Sequence, residues 1–289
     1  MRGGVRAWPL ALVVALSGCT QADGSPAPST TDGPAPATVV LQIADVGGFV
    51  PAVYTATRLP SVTVYSDGRV LTPEPLPASP PVPALHPLQV HQVDESGGRR
   101  LVDLAVDAGV TATDDLGDPS ITDLSTTRFE LRTDTVSATR DVYGLGYGSV
   151  LPAPGASGLT PDQLAGRDRL SGLLAQLEDP ASALGPDRVR GPEPYEPEAV
   201  AAVFTPFVQP SWDPVPPARP WPGPPLPGAL DGPGLDCVLV TGDALGPVLD
   251  AAADATDRTP WTTSDGQRWT VVLRVLLPHE NGCEDLPTR

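Results

Sequence analysis

The stretch Ser61-Val62-Thr63-Val64-Tyr65-Ser66-Asp67-Gly68-Arg69-Val70-Leu71-Thr72 decides the fold class. Two short runs rich in β-branched residues flank Asp67-Gly68, a dipeptide that tolerates the positive φ of a tight hairpin turn. The stretch predicts an antiparallel hairpin. On its amino-terminal side, Thr38 to Val46 has the composition of a strand. On the other side, Pro73 to Pro87 holds seven prolines in fifteen residues and predicts an extended connector. Leu88 to Val93 predicts another strand.

Helices enter next. Ser96 is a candidate cap for a helix to about Ala108, with Leu101, Leu104, Ala105 and Ala108 on one face and Asp103 and Asp107 on another. Gly109 is its stop. Arg128 to Leu131 and Val136 to Tyr143 predict strands paired around Thr133-Asp134. A second helix begins at Thr160, with Pro161 at the first position and Gln163 completing a capping box. Leu170, Leu173, Leu174 and Leu177 form its apolar stripe, and Pro180 ends it. Pro186 to Pro233 carries fifteen prolines in 48 residues, and within it Ala199 to Phe207 is an apolar island open to either helix or strand. The last block predicts strand Cys237 to Thr241, helix Asp243 to about Ala255, and strand Arg268 to Leu277. In that strand Trp269, Val271, Leu273, Val275 and Leu277 share one face while Val272 and Leu276 occupy the other, the pattern of a central strand.

These elements predict an α+β fold: mixed, mainly antiparallel sheets with helices on one face, plus long Pro-rich irregular segments. The expected organisation is an α+β lobe over 38–184, a Pro-rich connector over 185–235, and a strand-helix-strand unit over 236–289 packing with the preceding lobe. The order strand, helix, turn, strand near 88–131 recurs near 236–277, a candidate duplication.

Composition sets limits on partners. The chain of 289 residues has a net charge of −17, with no lysine, 38 prolines and 29 glycines. So acidic a balance excludes nucleic acid, which requires a basic face, and adhesion to anionic lipid through a basic patch. Apolar residues at 40% still allow a packed core.

The amino terminus predicts export. Arg2 and Arg6 precede the apolar run Leu10 to Leu16, which is shorter than the roughly 20 residues of a spanning helix and reads as a secretory signal over 1–18. Leu16-Ser17-Gly18-Cys19 resembles the lipobox of bacterial lipoproteins. That resemblance implies cleavage before Cys19 and a diacylglycerol thioether on its sulfur, which places the chain at the outer face of the cytoplasmic membrane. Residues 19–37 are rich in Ser, Thr, Gly, Pro and Ala and predict a disordered tether. With Cys19 lipidated, Cys237 and Cys283 remain, and an even pair outside the cytosol predicts a disulfide.

Motifs that carry chemistry are few. There is no Gly-x-Ser-x-Gly elbow and no Ser-x-x-Lys. His86 and His91 are five apart, which on a strand sends them to opposite faces and predicts solvated or capping roles rather than a shared metal. His279 is expected in a loop. Asp114, Asp115, Asp118 and Asp123 around Gly117 lack the alternation of a calcium loop and read as capping turns. Gly144-Leu145-Gly146-Tyr147-Gly148 lacks the strand-to-helix setting of a nucleotide fingerprint. No catalytic residue, cofactor or metal is assigned. Trp212 and Trp221 among the prolines, with Tyr143, are the candidate ligand-binding residues, because aromatics on a stiff segment can stack on sugars or on a partner. The competing reading is that they pin the segment to the domain.

A second resemblance rests on Gly47-Gly48-Phe49-Val50-Pro51, Arg58-Leu59-Pro60, Val64-Tyr65-Ser66-Asp67-Gly68-Arg69-Val70, Asp141-Val142-Tyr143-Gly144-Leu145-Gly146, Thr259-Pro260-Trp261-Thr262 and Arg268-Trp269. These segments resemble ones shared by uncharacterised secreted lipoproteins of high-GC Gram-positive bacteria, and imply no catalytic residue. Together the readings give the expectation of a lipid-anchored extracytoplasmic protein with a non-catalytic binding or scaffolding role. The alternatives are a cell-wall glycan or small-ligand module, and an unrecognised hydrolase using one of the three histidines.

Overall fold

Two sheets and five helices are built from residues 37–147, 158–211, 214–226 and 235–287, the residues described by the structure, a computed structural model. In chain order the elements are β1 (Val39–Val46), α1 (Ala52–Thr57), β2 (Val62–Tyr65), β3 (Arg69–Pro73), β4 (Leu88–Val93), α2 (Glu95–Ala108), β5 (Thr126–Arg132), β6 (Ser137–Tyr143), α3 (Pro161–Glu178), α4 (Pro180–Leu184), β7 (Val189–Pro194), β8 (Ala199–Pro206), β9 (Arg219–Pro220), β10 (Asp236–Thr241), α5 (Leu245–Ala253), β11 (Pro260–Thr262) and β12 (Arg268–Val275). The first sheet runs β6-β5-β1-β2-β3-β4-β7 and the second β10-β8-β12-β11-β9. Every neighbouring pair is antiparallel except β9 with β11. The chain is an α+β protein.

The Asp67-Gly68 hairpin joins β2 to β3 with Val64 opposite Val70, and Gly68 takes a φ of 85°. A Cβ there would sit 2.3 Å from the Val93 carbonyl, so the turn requires glycine. The predicted helices form, with one change of cap. Asp94, not Ser96, begins α2: its carboxylate accepts the Gly97 N–H at 2.6 Å while the Ser96 hydroxyl donates to it at 2.8 Å. An aspartate one residue before the first turn outcompetes a serine already inside it. Gly109 closes α2 in the left-handed region, and the Thr160/Gln163 capping box opens α3.

Alternation puts Leu41 and Ile43 of β1, Val64, Val70, Phe129 and Leu131 on the face that meets Leu101, Ala105, Leu170, Leu173 and Leu177 of α2 and α3. On the opposite face, Tyr65, Leu71 and Leu88 pack against Val275 and Leu277 at the end of β12, which joins the two sheets. α5 covers one face of the second sheet through Val248 and Ala252 over Val200, Phe204, Trp261 and Leu273. Val53 of α1 lies on the other face, against Ala201, Val203 and Leu276.

The proline content of 185–235 predicts a connector, yet β7, β8 and β9 lie there. Proline removes one ladder donor, so it is tolerated on edges and at strand ends. Pro192 and Pro194 sit in the edge strand β7, and Pro206 ends β8. β8 itself is the apolar island, free of proline until its last residue and buried between β10 and β12. The internal echo does not extend to topology: three strands separate β4 from β5, and only β8 separates β10 from β12. No helix among the described residues is long and apolar enough to cross a membrane.

Candidate functional site

Because Leu41, Ile43, Phe129 and Leu131 face the helices, Gln42, Ala44, Arg128, Glu130 and Arg132 face the other way. The end of β12 packs on that face through Tyr65, Leu71 and Leu88, with Val39 of β1 partly buried beside them. Two cavities open beside β1, and the larger also takes in Val64 from the helix-facing side and Gly98 and Val102 of α2. The larger, about 820 Å³, includes Val40, Gln42, Tyr65, Asp94, Arg99, Glu130, Asp134 and His279 in its lining. The smaller, about 280 Å³, includes Gln42, Asp45, Arg58, Arg128, Glu130, Arg274, His279 and Glu280. Gln42, Glu130 and His279 line both, so the two form one groove along β1, a strand roughly 26 Å long at 3.3 Å per residue.

His279 is brought into the groove by a carboxy-terminal strap. Arg274, buried in β12, grips Glu280 with both arms, 2.6 and 2.7 Å, and the Leu277 N–H donates to the same carboxylate at 2.8 Å. Further on, Cys283 is disulfide-bonded to Cys237 of the edge strand β10, with Cα atoms 6.0 Å apart. Asp285 accepts from the Asn281 N–H at 2.6 Å. Thus held, His279 places Nδ1 2.8 Å from the buried Tyr65 hydroxyl of the first sheet. Which of the two groups donates follows the tautomer of the imidazole. Burial and then the Glu280 charge push the Tyr65 phenol far above its ordinary value. Burial holds His279 below the usual imidazole value against the opposing pull of Glu280. The phenol is therefore kept protonated, and the imidazole beside it lines both cavities.

The remaining polar side chains are tied down. Arg128 and Asp141 form a two-armed pair, both contacts 2.8 Å, which raises the arginine and lowers the carboxyl. Thr127 donates to Asp45 at 2.8 Å, and Gln42 to Thr63 at 3.3 Å. Such fixed donors and acceptors suit recognition of a polar, extended ligand.

His91 has a different setting from the solvated or capping role expected of it. It is buried on the helix-facing side of β4, and neither ring nitrogen has a hydrogen-bond partner. Burial lowers its pKa, with Asp179 pulling the other way. His91 is thus held neutral in the fold but protonates near pH 6.5 when unfolded. Below that value the unfolded chain binds more protons, so stability falls as the pH drops from about 7 toward 5. Urea unfolding should show a lower midpoint at about pH 5.5 than at about 7.5, with His91→Leu flattening the difference. A wild-type midpoint independent of pH in that window would contradict the assignment.

The other sequence-predicted residues are dispersed. Tyr143 spends its hydroxyl on Ile121 O and the Leu124 N–H, both 3.1 Å. Trp221 donates to Pro224 O at 2.7 Å and packs edge-on to Trp261. Neither lines the groove, and the two are not brought together. Trp212 and Cys19 lie outside the described residues. His86 meets Glu74 O at 3.0 Å. Asp115 accepts the Gly117 N–H, and Asp114 takes Arg140, as capping turns do. Sequence reasoning missed the buried arginines. Arg274 forms the strap, and Arg167 donates to the carbonyls of Leu116, Gly117, Tyr143 and Gly144, clamping two loops to α3. An Arg-x₅-Glu spacing across Pro278 was the available signal for the first; nothing local marks the second. No protein-family model, curated protein or solved structure matches the chain.

Proposed function

We propose that the chain is exported, cleaved before Cys19 and lipid-anchored at the outer face of the cytoplasmic membrane, and that it acts there without turnover, holding an envelope ligand or partner along the groove. The observation that carries this reading is the continuous groove whose two cavities share His279, Gln42 and Glu130. The disulfide supports the compartment, since such bonds persist outside the reducing cytosol. The anchoring signal lies in Leu16-Ser17-Gly18-Cys19. The direction of the chain fits as well. It enters the domain at Thr38, whose N–H donates to Ser66 at 3.0 Å beside the β2–β3 turn. β1 then runs away from that end and is followed by Phe49, 86% exposed, and the exposed Tyr54. Aromatics so placed are available to a partner at the end of β1 opposite Thr38.

Isolated cell-wall glycan is the first probe. Retention of the purified protein on it should fall about tenfold in His279→Ala and in Gln42→Ala, the effect of losing one well-placed hydrogen bond. Retention unchanged by either substitution would remove the groove as the site. Soluble glycan fragments released by the wild type but not by His279→Ala would favour the hydrolase reading, for which the placement of His279 in the groove is the supporting observation.

A further inference from the structure

Apart from the groove, the first sheet holds a titratable group in its interior, next to its least secured edge. His91 is 4% exposed, and neither ring nitrogen meets a hydrogen-bond partner among the described residues. The Thr72 hydroxyl, diagonal to it on β3, is buried and unpartnered as well. On one side His91 is in register with Val70 of the inner strand β3. On the other, the register with the edge strand β7 is broken: Val90 pairs with Glu193 and Gln92 with Arg190, so His91 stands opposite both Gly191 and Pro192. The backbones run close there, since a Cβ on Gly191 would sit 2.7 Å from Val90 O and 3.4 Å from His91 Cα. The chain outside His91 is lightly held. β7 buries only Val189, and α4, five residues long, attaches through Pro180, Ala181 and Leu184. A segment with so few buried apolar side chains is the first to open.

We propose that His91 is an acid-released latch on segment 180–194, which carries α4 and β7. Neutral, the buried ring packs between β3 and β7 as an apolar group does. Protonated, it is a cation with two N–H donors in an interior that gives it no carboxylate. The charge that acts on it is Asp179, at the exposed junction of α3 and α4, and that carboxylate already caps α4 by accepting the Ser182 N–H at 3.2 Å. To reach Asp179 or water the cation leaves the interior, and the edge segment yields before the inner strand does. The neighbouring charges do not hold it in. Arg190 and Glu193 of β7 are exposed, Arg188 acts on Asp94 at the start of α2, and β3 presents only Val70 and Thr72 on that face. Burial pushes the Glu178 carboxyl up, so that group steadies the fold in stronger acid, near pH 4.5 and below, outside the range in which His91 acts.

Amide exchange of the full protein at about pH 5.5 and about 7.5, corrected for the intrinsic pH dependence of exchange, tests this. Protection over 180–194 should fall about tenfold at the lower pH, because a ring that takes its proton near 6.5 on release favours the open state by that factor. β1 and β5 should keep their protection. His91→Leu and His91→Gln should each abolish the fall, and His279→Ala should leave it in place. No fall over 180–194, an equal fall in β1 and β5, or a fall that survives both His91 variants overturns the latch. Should neither His91 variant fold, the ring signal of His91 in the wild-type protein decides by NMR. It should titrate in step with the amide signals of β7, and a titration that leaves those signals unmoved overturns the proposal.

Discussion

Arg274→Met should destabilise the protein by about 3–5 kcal/mol and collapse the groove wall with it. Arg274 and Glu280 are both buried, with side chains 1% and 8% exposed. Removing the guanidinium strands a largely buried carboxylate without its cation. The arginine also donates to Val275 O and Arg58 O, at 3.3 and 3.4 Å, so those carbonyls lose a partner too. The double variant Arg274→Met/Glu280→Leu should recover most of the loss, because an apolar pair of similar volume replaces the ion pair without leaving a charge behind. Denaturant unfolding of the two single variants and the double measures this directly. If Arg274→Met alone were as stable as wild type, the pair would not be the clamp that holds the strap. The functional consequence follows from position: His279 directly precedes Glu280, so a loosened clamp takes His279 away from Tyr65 and weakens ligand retention.

The second large effect belongs to the disulfide. Cys237 and Cys283 are 46 residues apart in sequence. Closing a loop of that length stabilises by about 4 kcal/mol in the chain-entropy model. Cys237→Ser/Cys283→Ser should therefore lower Tm by about 10 °C in a domain of this size. Reduction of the wild type by a dithiol should produce the same loss. The strap residues beyond Glu280 depend on this bond most, because among the described residues there only Leu286 buries a large side chain. Non-reduced protein with two alkylatable thiols, or a double variant that melts with the wild type, would contradict the pairing.

How far the sequence could be read depends on the range of each interaction. The Asp67-Gly68 hairpin, the β5–β6 hairpin, the Thr160 capping box and the Gly109 stop are local, and each is set by a few neighbouring residues. The Cys237–Cys283 pair was legible by counting alone. β7 was hidden because proline marks irregular chain in general, and its tolerance at edges and ends reverses that inference locally, whereas the island that forms β8 suits helix and strand alike from its sequence. The groove was not legible. It joins Gln42, Glu130 and His279, residues from three distant parts of the chain that meet only through strand order. Arg167 and Arg274 were hidden by the general rule that arginine stays at the surface, which yields where a buried guanidinium finds carbonyls or a carboxylate for its donors. Of the aromatic residues singled out for ligand binding, Tyr143 ties a loop and Trp221 packs against Trp261.

The account rests most heavily on anchoring, and intact-mass analysis of the protein extracted from membranes of its own host reaches that point most directly. A mature chain that begins at Cys19 and carries a diacylglycerol thioether on that sulfur is the predicted result. A chain that retains Met1 to Gly18, or begins at an unmodified Cys19, would contradict it.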